Sequence, residues 1–248
     1  MRDIKDYESV VYNGEHEFEV YQALYRKRRV LESLKKVPKG GVIVETGCGL
    51  ESMFQYYDDF SKFICVEPAD QFYQLALEQK KDRDDIVLIQ DFFENTIEQM
   101  PKKVDCIICS GLLNEVEDPK LFLTYLKKIA DADTMIHINV ANAKSFHRLL
   151  ALCSGLIGDT HEMSDNNKKL QQHTVFDMEL LKELVESVGK TEFLEQGSYF
   201  VKPFTHAQMK KCMENGIVNQ NILNGLYEIS KYMPELGSEI FIDFRWKS

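Results

Sequence analysis

The sequence predicts a doubly wound α/β fold, in which a mostly parallel sheet of seven strands carries helices on both faces and a helical cap. Three observations support this prediction. Short apolar segments alternate with helical segments from residue 42 to residue 140, as in parallel strands joined by crossover helices. Most of these apolar segments are continuous rather than alternating, as strands buried on both faces require. The chain of 248 residues, 44% of them hydrophobic, can bury one sizeable core.

The first element is a predicted helix from about Glu19 to Lys36, whose apolar residues recur at helical spacing. Pro38, Gly40 and Gly41 then interrupt the chain, and the alternation begins. In this central region we predict strands at 42–45, 62–67, 86–90, 104–110 and 134–140, and helices at 51–60, 70–80 and 119–130.

The second half of the chain predicts a different arrangement. Residues 191–204 read as a strand pair or one bent strand, and residues 238–246 read as a final strand. Because this last strand returns after helices, we expect it to form an antiparallel edge of the same sheet. The helices predicted here are 145–157, 176–188, 205–214 and 219–232, and residues 158–174 form a polar loop.

Charge and hydropathy restrict the partners. The formal net charge is −10, which disfavours binding to phosphate backbones. We interpret the basic cluster at residues 26–29 as a solvated helix face and expect no nucleic-acid partner. No apolar run approaches the roughly 18 residues of a membrane span, and the first ten residues lack an apolar signal region. We therefore expect a cytoplasmic protein with no membrane partner.

The six cysteines do not suggest a metal site. Cys106 and Cys109 form a C-x-x-C pair, but the segment reads as a buried strand, in which these two residues point to opposite faces. No second pair follows at zinc spacing. We expect reduced thiols and no metal.

The residues most suited to ligand binding lie at the ends of the predicted strands. The first strand ends in the segment Glu45 to Gly49, with sequence ETGCG. Gly47 can adopt backbone angles closed to other residues, and Gly49 allows a ligand to approach the main chain. This motif lies between a strand and a helix, which raises its value as a binding signal.

The next three strands end in groups suited to one nucleoside. Glu67, followed by Pro68, comes about 20 residues after the glycines, where an acid can accept hydrogen bonds from ribose hydroxyls. Asp91 could accept from an adenine amino group, and Phe92 could lie against the ring. Ser110 and Leu112 follow the fourth strand. Because these strand ends lie at one edge of a parallel sheet, the groups are expected to converge.

The segments VETGCG, CVEP, IQDFF, DCIICSGLLNEVEDP and IHINVAN resemble those of the class I S-adenosylmethionine-dependent methyltransferases, over about residues 20–142. The resemblance implies a Rossmann-like fold and S-adenosylmethionine as cofactor. It also implies roles for three parts of the edge. The loop from Glu45 through Gly47, Cys48 and Gly49 would hold the methionine portion, Glu67 and Pro68 the ribose, and Asp91 and Phe92 the adenine. Ser110 and Leu112 would flank the sulfur.

One position departs from the family pattern, and two others argue against a nicotinamide-binding protein. The family often has a third glycine where this chain has Glu51, a carboxylate that we expect to face away because it begins a helix. A nicotinamide site would need glycine or alanine at Ser52. In addition, Glu45 suits the amino group of methionine better than a pyrophosphate.

The candidates for catalysis and acceptor binding lie in the second half. His147 is predicted near the N-terminus of a helix that follows the fifth strand, where the imidazole would stay neutral and could act as a base. His173, at the end of the polar loop, is the second candidate base. Arg148 would suit an anionic group of the acceptor. Asn142 and Tyr21 complete the predicted substrate-binding residues. For each, an ordinary surface or packing role stays open.

The segments around His147, His173 and residues 198–204 are similar to small-molecule or sugar methyltransferases of bacterial biosynthetic clusters. This likeness implies a hydroxyl or amino acceptor on a small polar metabolite, such as a sugar or sugar nucleotide. The alternatives are a non-catalytic S-adenosylmethionine-binding protein and a methyltransferase of protein side chains. We predict one domain, with an N-terminal helical lid (1–37), a cofactor-binding core (38–142) and a substrate side (143–248). The acceptor atom and oligomeric state stay open.

Overall fold

The structure is a computed structural model that describes residues 4–5 and 18–247. Within these residues the strands are β1 (Gly41–Thr46), β2 (Phe60–Val66), β3 (Ile86–Ile89), β4 (Cys106–Ser110), β5 (Met135–Ala141), β6 (Thr191–Tyr199) and β7 (Glu239–Trp246). They form one sheet in the order β3-β2-β1-β4-β5-β7-β6. Strands β1 to β5 are parallel, and β7 runs antiparallel to both of its neighbours. The doubly wound, mostly parallel seven-stranded sheet is therefore confirmed.

Helices cover both faces of this sheet, as double winding requires. The α-helices of the described residues are α1 (Glu19–Leu34), α2 (Asp70–Lys80), α3 (Pro119–Ile129), α4 (Phe146–Cys153), α5 (Asp165–Lys169), α6 (Met178–Glu186), α7 (His206–Glu214) and α8 (Gln220–Glu228). Neighbouring residues of β1 point into different cores. Ile43 packs in a cluster with residues of α1 and α2, whereas Val44 packs in one with residues of α3 and α6. Cys106 belongs to the cluster of Ile43, and Cys109 belongs to the cluster of Val44.

The helix predicted at 51–60 is wrong. The chain makes one 3-10 turn there, Met53–Gln55, and β2 already begins at Phe60. Met53 and Phe54 are buried, so this turn inserts apolar side chains into the core rather than extending along the sheet. Phe60, the last residue of the predicted helix, belongs to β2 instead.

The final strand is antiparallel, as expected, but it is not at the edge. It pairs with β5 on one side and β6 on the other, and seven of its eight residues are buried. Residues 191–204 supply one strand rather than a pair, with a register shift between Phe193 and Glu195. The edge position therefore belongs to β6, because β7 inserts between it and the parallel strands.

A third apolar cluster joins α1 to the helices that follow β6. Tyr25 of α1 stacks on Phe200, with ring centroids 4.6 Å apart, and Met209 and Leu223 contribute from α7 and α8. These helices therefore pack at the α1 side of the sheet. Part of the lid that we predicted at residues 1–37, including Tyr7 and Tyr12, lies outside the described residues.

Two further findings concern residues 4–5 and 18–247 only. None of their helices combines the length and apolar character that a membrane crossing needs. Their histidine, cysteine and acidic side chains do not form any group of three or more that could hold a metal ion.

Candidate active site

A cavity of about 1630 Å³ opens at the carboxyl ends of β1, β2, β4 and β5. Parallel strands bring these ends to one edge, which is where open α/β sheets bind ligands. A pocket for one drug-sized ligand measures about 300–1,000 Å³. The cavity therefore has room for two ligands side by side. Its wall includes Glu45, Cys48, Glu67, Ser110 and His147, which come from both halves of the predicted site.

The glycine loop forms one end of the cavity. Gly47 and Gly49 have φ angles of +74° and +54°, in the left-handed region that glycine adopts without steric cost. A Cβ atom on Gly49 would meet no atom within 4 Å, so this part of the main chain is open to a ligand. Gly47 lies against Leu112, whose side chain would be 3.7 Å from a Cβ there.

Glu67 fixes the shape of this loop. Its carboxylate accepts hydrogen bonds from the backbone N–H groups of Cys48 (2.9 Å), Gly49 (3.1 Å) and Ala69 (2.9 Å). Burial raises the pKa of the Glu67 carboxyl, and the three backbone donors oppose that rise. The expectation of a ribose contact stays a prediction, but the carboxylate also holds the loop, which the sequence did not reveal. Pro68 lines the cavity beside it.

Glu45 is buried beneath the loop. Its carboxylate accepts hydrogen bonds from the Ser52 hydroxyl and from the backbone N–H of Met53 (3.1 Å). Burial raises the pKa of Glu45 to about 7, against the effect of these two donors. A buried carboxylate of this kind would be stabilised by a cationic ligand group. Glu51, which we expected to face away, is among the residues that line the cavity, and its carboxylate pairs with Lys27 of α1 instead of beginning a helix.

Of the two residues that we expected to bind adenine, only one lines the cavity. Phe92 lines the cavity, but Asp91 is not among its lining residues. The Asp91 carboxylate instead accepts from the backbone N–H of Phe92 (2.7 Å) and the side-chain amide of Asn95 (2.7 Å). Ser110 and Leu112 both line the cavity. The structure thus brings Phe92, Ser110 and Leu112 to the glycine loop, whereas Asp91 supports the turn that places Phe92.

His147 lies at the other end of the cavity. Its Nδ1 is buried and has no hydrogen-bond partner within the described residues. Burial lowers the pKa of His147 to about 3, and the charges of Lys202 and Arg148 add to this effect. The imidazole is therefore neutral at neutral pH, as predicted. The main cause is burial rather than the helix terminus, and so low a pKa makes it a weak base.

His173 is not brought into the cavity. Its side chain is exposed, and its backbone N–H donates to the carbonyl oxygen of Asn114 at 2.8 Å. Arg148 lines the cavity but donates to the carbonyl oxygens of Thr160 (2.7 Å) and Glu162 (2.5 Å). These hydrogen bonds connect the guanidinium to the loop after α4, so its donors are used by the main chain rather than by an anion.

The other two substrate candidates also have structural partners. The Asn142 amide donates to the carbonyl oxygens of Glu235 (2.9 Å) and Gly237 (2.8 Å). Tyr21 packs in the third cluster against Phe18, with ring centroids 5.6 Å apart, and is not among the cavity-lining residues. Asn142 therefore lines the cavity, but its amide binds the chain before β7. Tyr21 contributes to the packing of α1.

Four cavity residues were missed from the sequence. Arg26 belongs to the basic cluster that we interpreted as a solvated face, yet its Nε donates to Glu239 of β7 at 3.0 Å. Lys202 interrupts the apolar segment YFVKPF, a signal that could have identified it. Asn114 follows β4, and its buried Oδ1 has no partner in the described part of the chain. The four residues that line the cavity are thus Arg26, Glu239, Lys202 and Asn114.

Comparison with known proteins agrees with the geometry. Residues 44–136 match the methyltransferase domain family. A stretch of 116 residues is 25% identical to the thiol S-methyltransferase TMT1B of Mus musculus, covering 44% of this chain and 48% of that protein. The corresponding protein of Rattus norvegicus matches equally well. The chain thus spans about half the length of the curated relatives that it matches.

Solved structures share the whole fold. An S-adenosylmethionine-dependent methyltransferase from Thermotoga maritima has a TM-score of 0.60 at 16% identity, covering 97% of this chain and 98% of that one. The plantazolicin methyltransferase BamL, solved with S-adenosylhomocysteine, has a TM-score of 0.55 at 16% identity, covering 98% and 88%. At these identities the likeness concerns the fold. The chain therefore carries a match to the methyltransferase domain family over residues 44–136, on a sheet with the fold of S-adenosylmethionine-dependent methyltransferases.

Proposed function

We propose that this protein transfers a methyl group from S-adenosylmethionine to a hydroxyl or amino group of a small polar metabolite. The observation that carries the proposal is the two-ended cavity. One end, beyond β1 and β2, has the open glycine loop with Glu45 and Glu67. The other end, beyond β4 and β5, has Asn114 Oδ1 and His147 Nδ1, which have no hydrogen-bond partner among residues 4–5 and 18–247. Buried polar atoms without partners are costly, so an acceptor with hydrogen-bonding groups would stabilise that end.

The residues at the loop end fit the cofactor. S-Adenosylmethionine supplies a sulfonium-bound methyl group, which is already activated for in-line displacement. Glu45 would hold the cationic amino group, Glu67 and Pro68 the ribose, and Phe92 the adenine ring. Ser110 and Leu112 would border the reacting centre. The protein then contributes alignment of the acceptor and exclusion of water.

The acceptor end supports a polar nucleophile. A neutral imidazole has one donor and one acceptor nitrogen, and the Asn114 Oδ1 atom is a second acceptor. Together they would hold the hydrogen of a hydroxyl or amine so that a lone pair of the nucleophile is directed toward the methyl group. Because its pKa is low, His147 would mainly orient the acceptor in the free enzyme.

The proposal is tested by calorimetry and by methyl incorporation. We expect S-adenosylmethionine and S-adenosylhomocysteine to bind one site per chain. We also expect labelled methyl groups from a cell extract to appear in the small-molecule fraction. Label in protein would instead support side-chain methylation. Binding of the cofactor without any incorporation would support the non-catalytic alternative, and absence of binding would refute both.

Replacing His147 with alanine should lower kcat by about 10–100-fold, since an oriented hydrogen-bond partner of the nucleophile is lost. Cofactor affinity should stay within a factor of about two, because His147 lies at the other end of the cavity. His173→Asn is the matched control, since the His173 side chain is exposed outside the cavity, and it should leave kcat unchanged. Equal losses in both variants would contradict the assignment.

A further inference from the structure

Lys202 is a cation buried in the cavity wall. It follows the kink at Phe200, whose φ angle is +60°, and only 4% of its surface is exposed. Its ammonium makes no hydrogen bond or ion pair with the residues that the structure describes. Its Nζ lies over the ring of Phe18, 5.8 Å from the ring centroid. A buried ammonium is expensive unless an anion pairs with it.

The carboxylates of this region are already engaged by another cation. Glu239 accepts from Arg26 at 3.0 Å and from the side chains of Tyr199 and Asn139. Glu19 also pairs with Arg26, at 3.0 Å. Although burial alone would raise the pKa of Glu239, Arg26 holds it below its usual value. The Glu239 carboxylate therefore stays charged, and both carboxylates are engaged by the Arg26 guanidinium rather than by Lys202.

Burial lowers the pKa of Lys202 to about 8, and the carboxylates of Glu19 and Glu239 limit that decrease. The ammonium form therefore predominates at neutral pH. Lys202, His147 and Asn114 line the same cavity, and the charge of Lys202 is close enough to lower the pKa of His147. Within the described part of the chain, the acceptor end thus offers a cation without an ion pair beside two hydrogen-bonding atoms without partners.

We propose that Lys202 binds a carboxylate or phosphate group of the methyl acceptor, while His147 and Asn114 hold its hydroxyl or amino group. This inference rests on the function proposed above, and it identifies the acceptor class as a small anion. Arg148, the residue expected to fill this role, is occupied by two carbonyl oxygens. An anion at Lys202 also offsets the charge that weakens His147, so the imidazole becomes more basic when the acceptor is bound.

The test is a calorimetric titration of the protein saturated with S-adenosylhomocysteine. The probes are inorganic phosphate and two matched pairs, glucose 6-phosphate with glucose and 4-hydroxybenzoate with 4-hydroxybenzamide. We expect the wild type to bind at least one anionic member about tenfold or more tightly than its neutral counterpart, as a charge-assisted contact predicts. The pair that shows the preference distinguishes phosphate from carboxylate.

Lys202→Met should abolish the preference, Lys202→Arg should keep part of it, and Lys39→Met, which removes an exposed charge, should keep all of it. Lys202→Met should unfold no lower in temperature than the wild type, because it removes a buried, unpaired charge. Equal binding of neutral and anionic probes, no binding of any anion, or a preference that survives Lys202→Met would overturn the inference. S-Adenosylhomocysteine binding is measured first, and its absence would refute the proposed function instead.

Discussion

Replacing Glu67 with glutamine is expected to lower the affinity for S-adenosylmethionine by about 30-fold or more. The carboxylate accepts three backbone hydrogen bonds, from Cys48, Gly49 and Ala69. Glutamine replaces one carboxylate oxygen with an NH₂ group, which cannot accept, so at least one N–H group loses its partner and the loop changes shape. Hydrogen bonds to charged groups contribute about 1.5–3 kcal/mol each, and 1.4 kcal/mol corresponds to a factor of ten. The measurement is the dissociation constant by calorimetry.

The matched control is Glu78→Gln, which neutralises an exposed carboxylate of α2 and should leave cofactor affinity unchanged. Thermal unfolding of both variants separates a local effect on the loop from a global one. If Glu67→Gln binds the cofactor as tightly as the wild type, the loop is held by other contacts and Glu67 has no part in binding.

The cofactor end could be predicted because its residues belong to local units. Each of these groups lies at or just after the end of a strand, and parallel pairing brings the strand ends to one edge. Glu45, Glu67 and Phe92, proposed on this basis, all line the cavity. Asp91 could not be placed, because one residue's difference in a turn decides whether a side chain faces the cavity or caps the main chain. Its bonds to Phe92 and Asn95 depend on that turn.

At the acceptor end, His147 was proposed from the sequence, but the pairing of Arg26 with Glu239 could not be predicted, because such contacts join residues far apart in the sequence. Arg26 meets Glu239 across 213 positions, and Arg29 meets Glu195 across 166. Both pairings exist only because β7 inserts between β5 and β6, whereas the sequence suggested an edge strand. That insertion also explains why the basic cluster is not a solvated face. Similarly, loop composition alone could not tell that His173 turns its side chain to solvent.

Because β7 lies between β5 and β6, we expect one added methyl group at Gly237 to destabilise the protein strongly. Gly237 immediately precedes Ser238 and Glu239, and its N–H donates to the Ser198 hydroxyl at 2.7 Å. A Cβ atom on Gly237 would lie 2.3 Å from the backbone nitrogen of Tyr199 and 2.4 Å from its carbonyl oxygen. Backbone atoms of a paired strand cannot move aside cheaply. We therefore expect Gly237→Ala to lower the free energy of unfolding by about 3 kcal/mol or more.

Gly225→Ala provides the matched comparison for this prediction. Gly225 lies in α8 and is exposed, and a Cβ there would meet no atom within 4 Å. Alanine favours a helix over glycine by about 1 kcal/mol, so this variant should be more stable than the wild type. Chemical denaturation measures both. If the two variants have similar stability, the chain before β7 is not packed against Tyr199. The position of Glu239 next to Arg26, which depends on that packing, would then be contradicted as well.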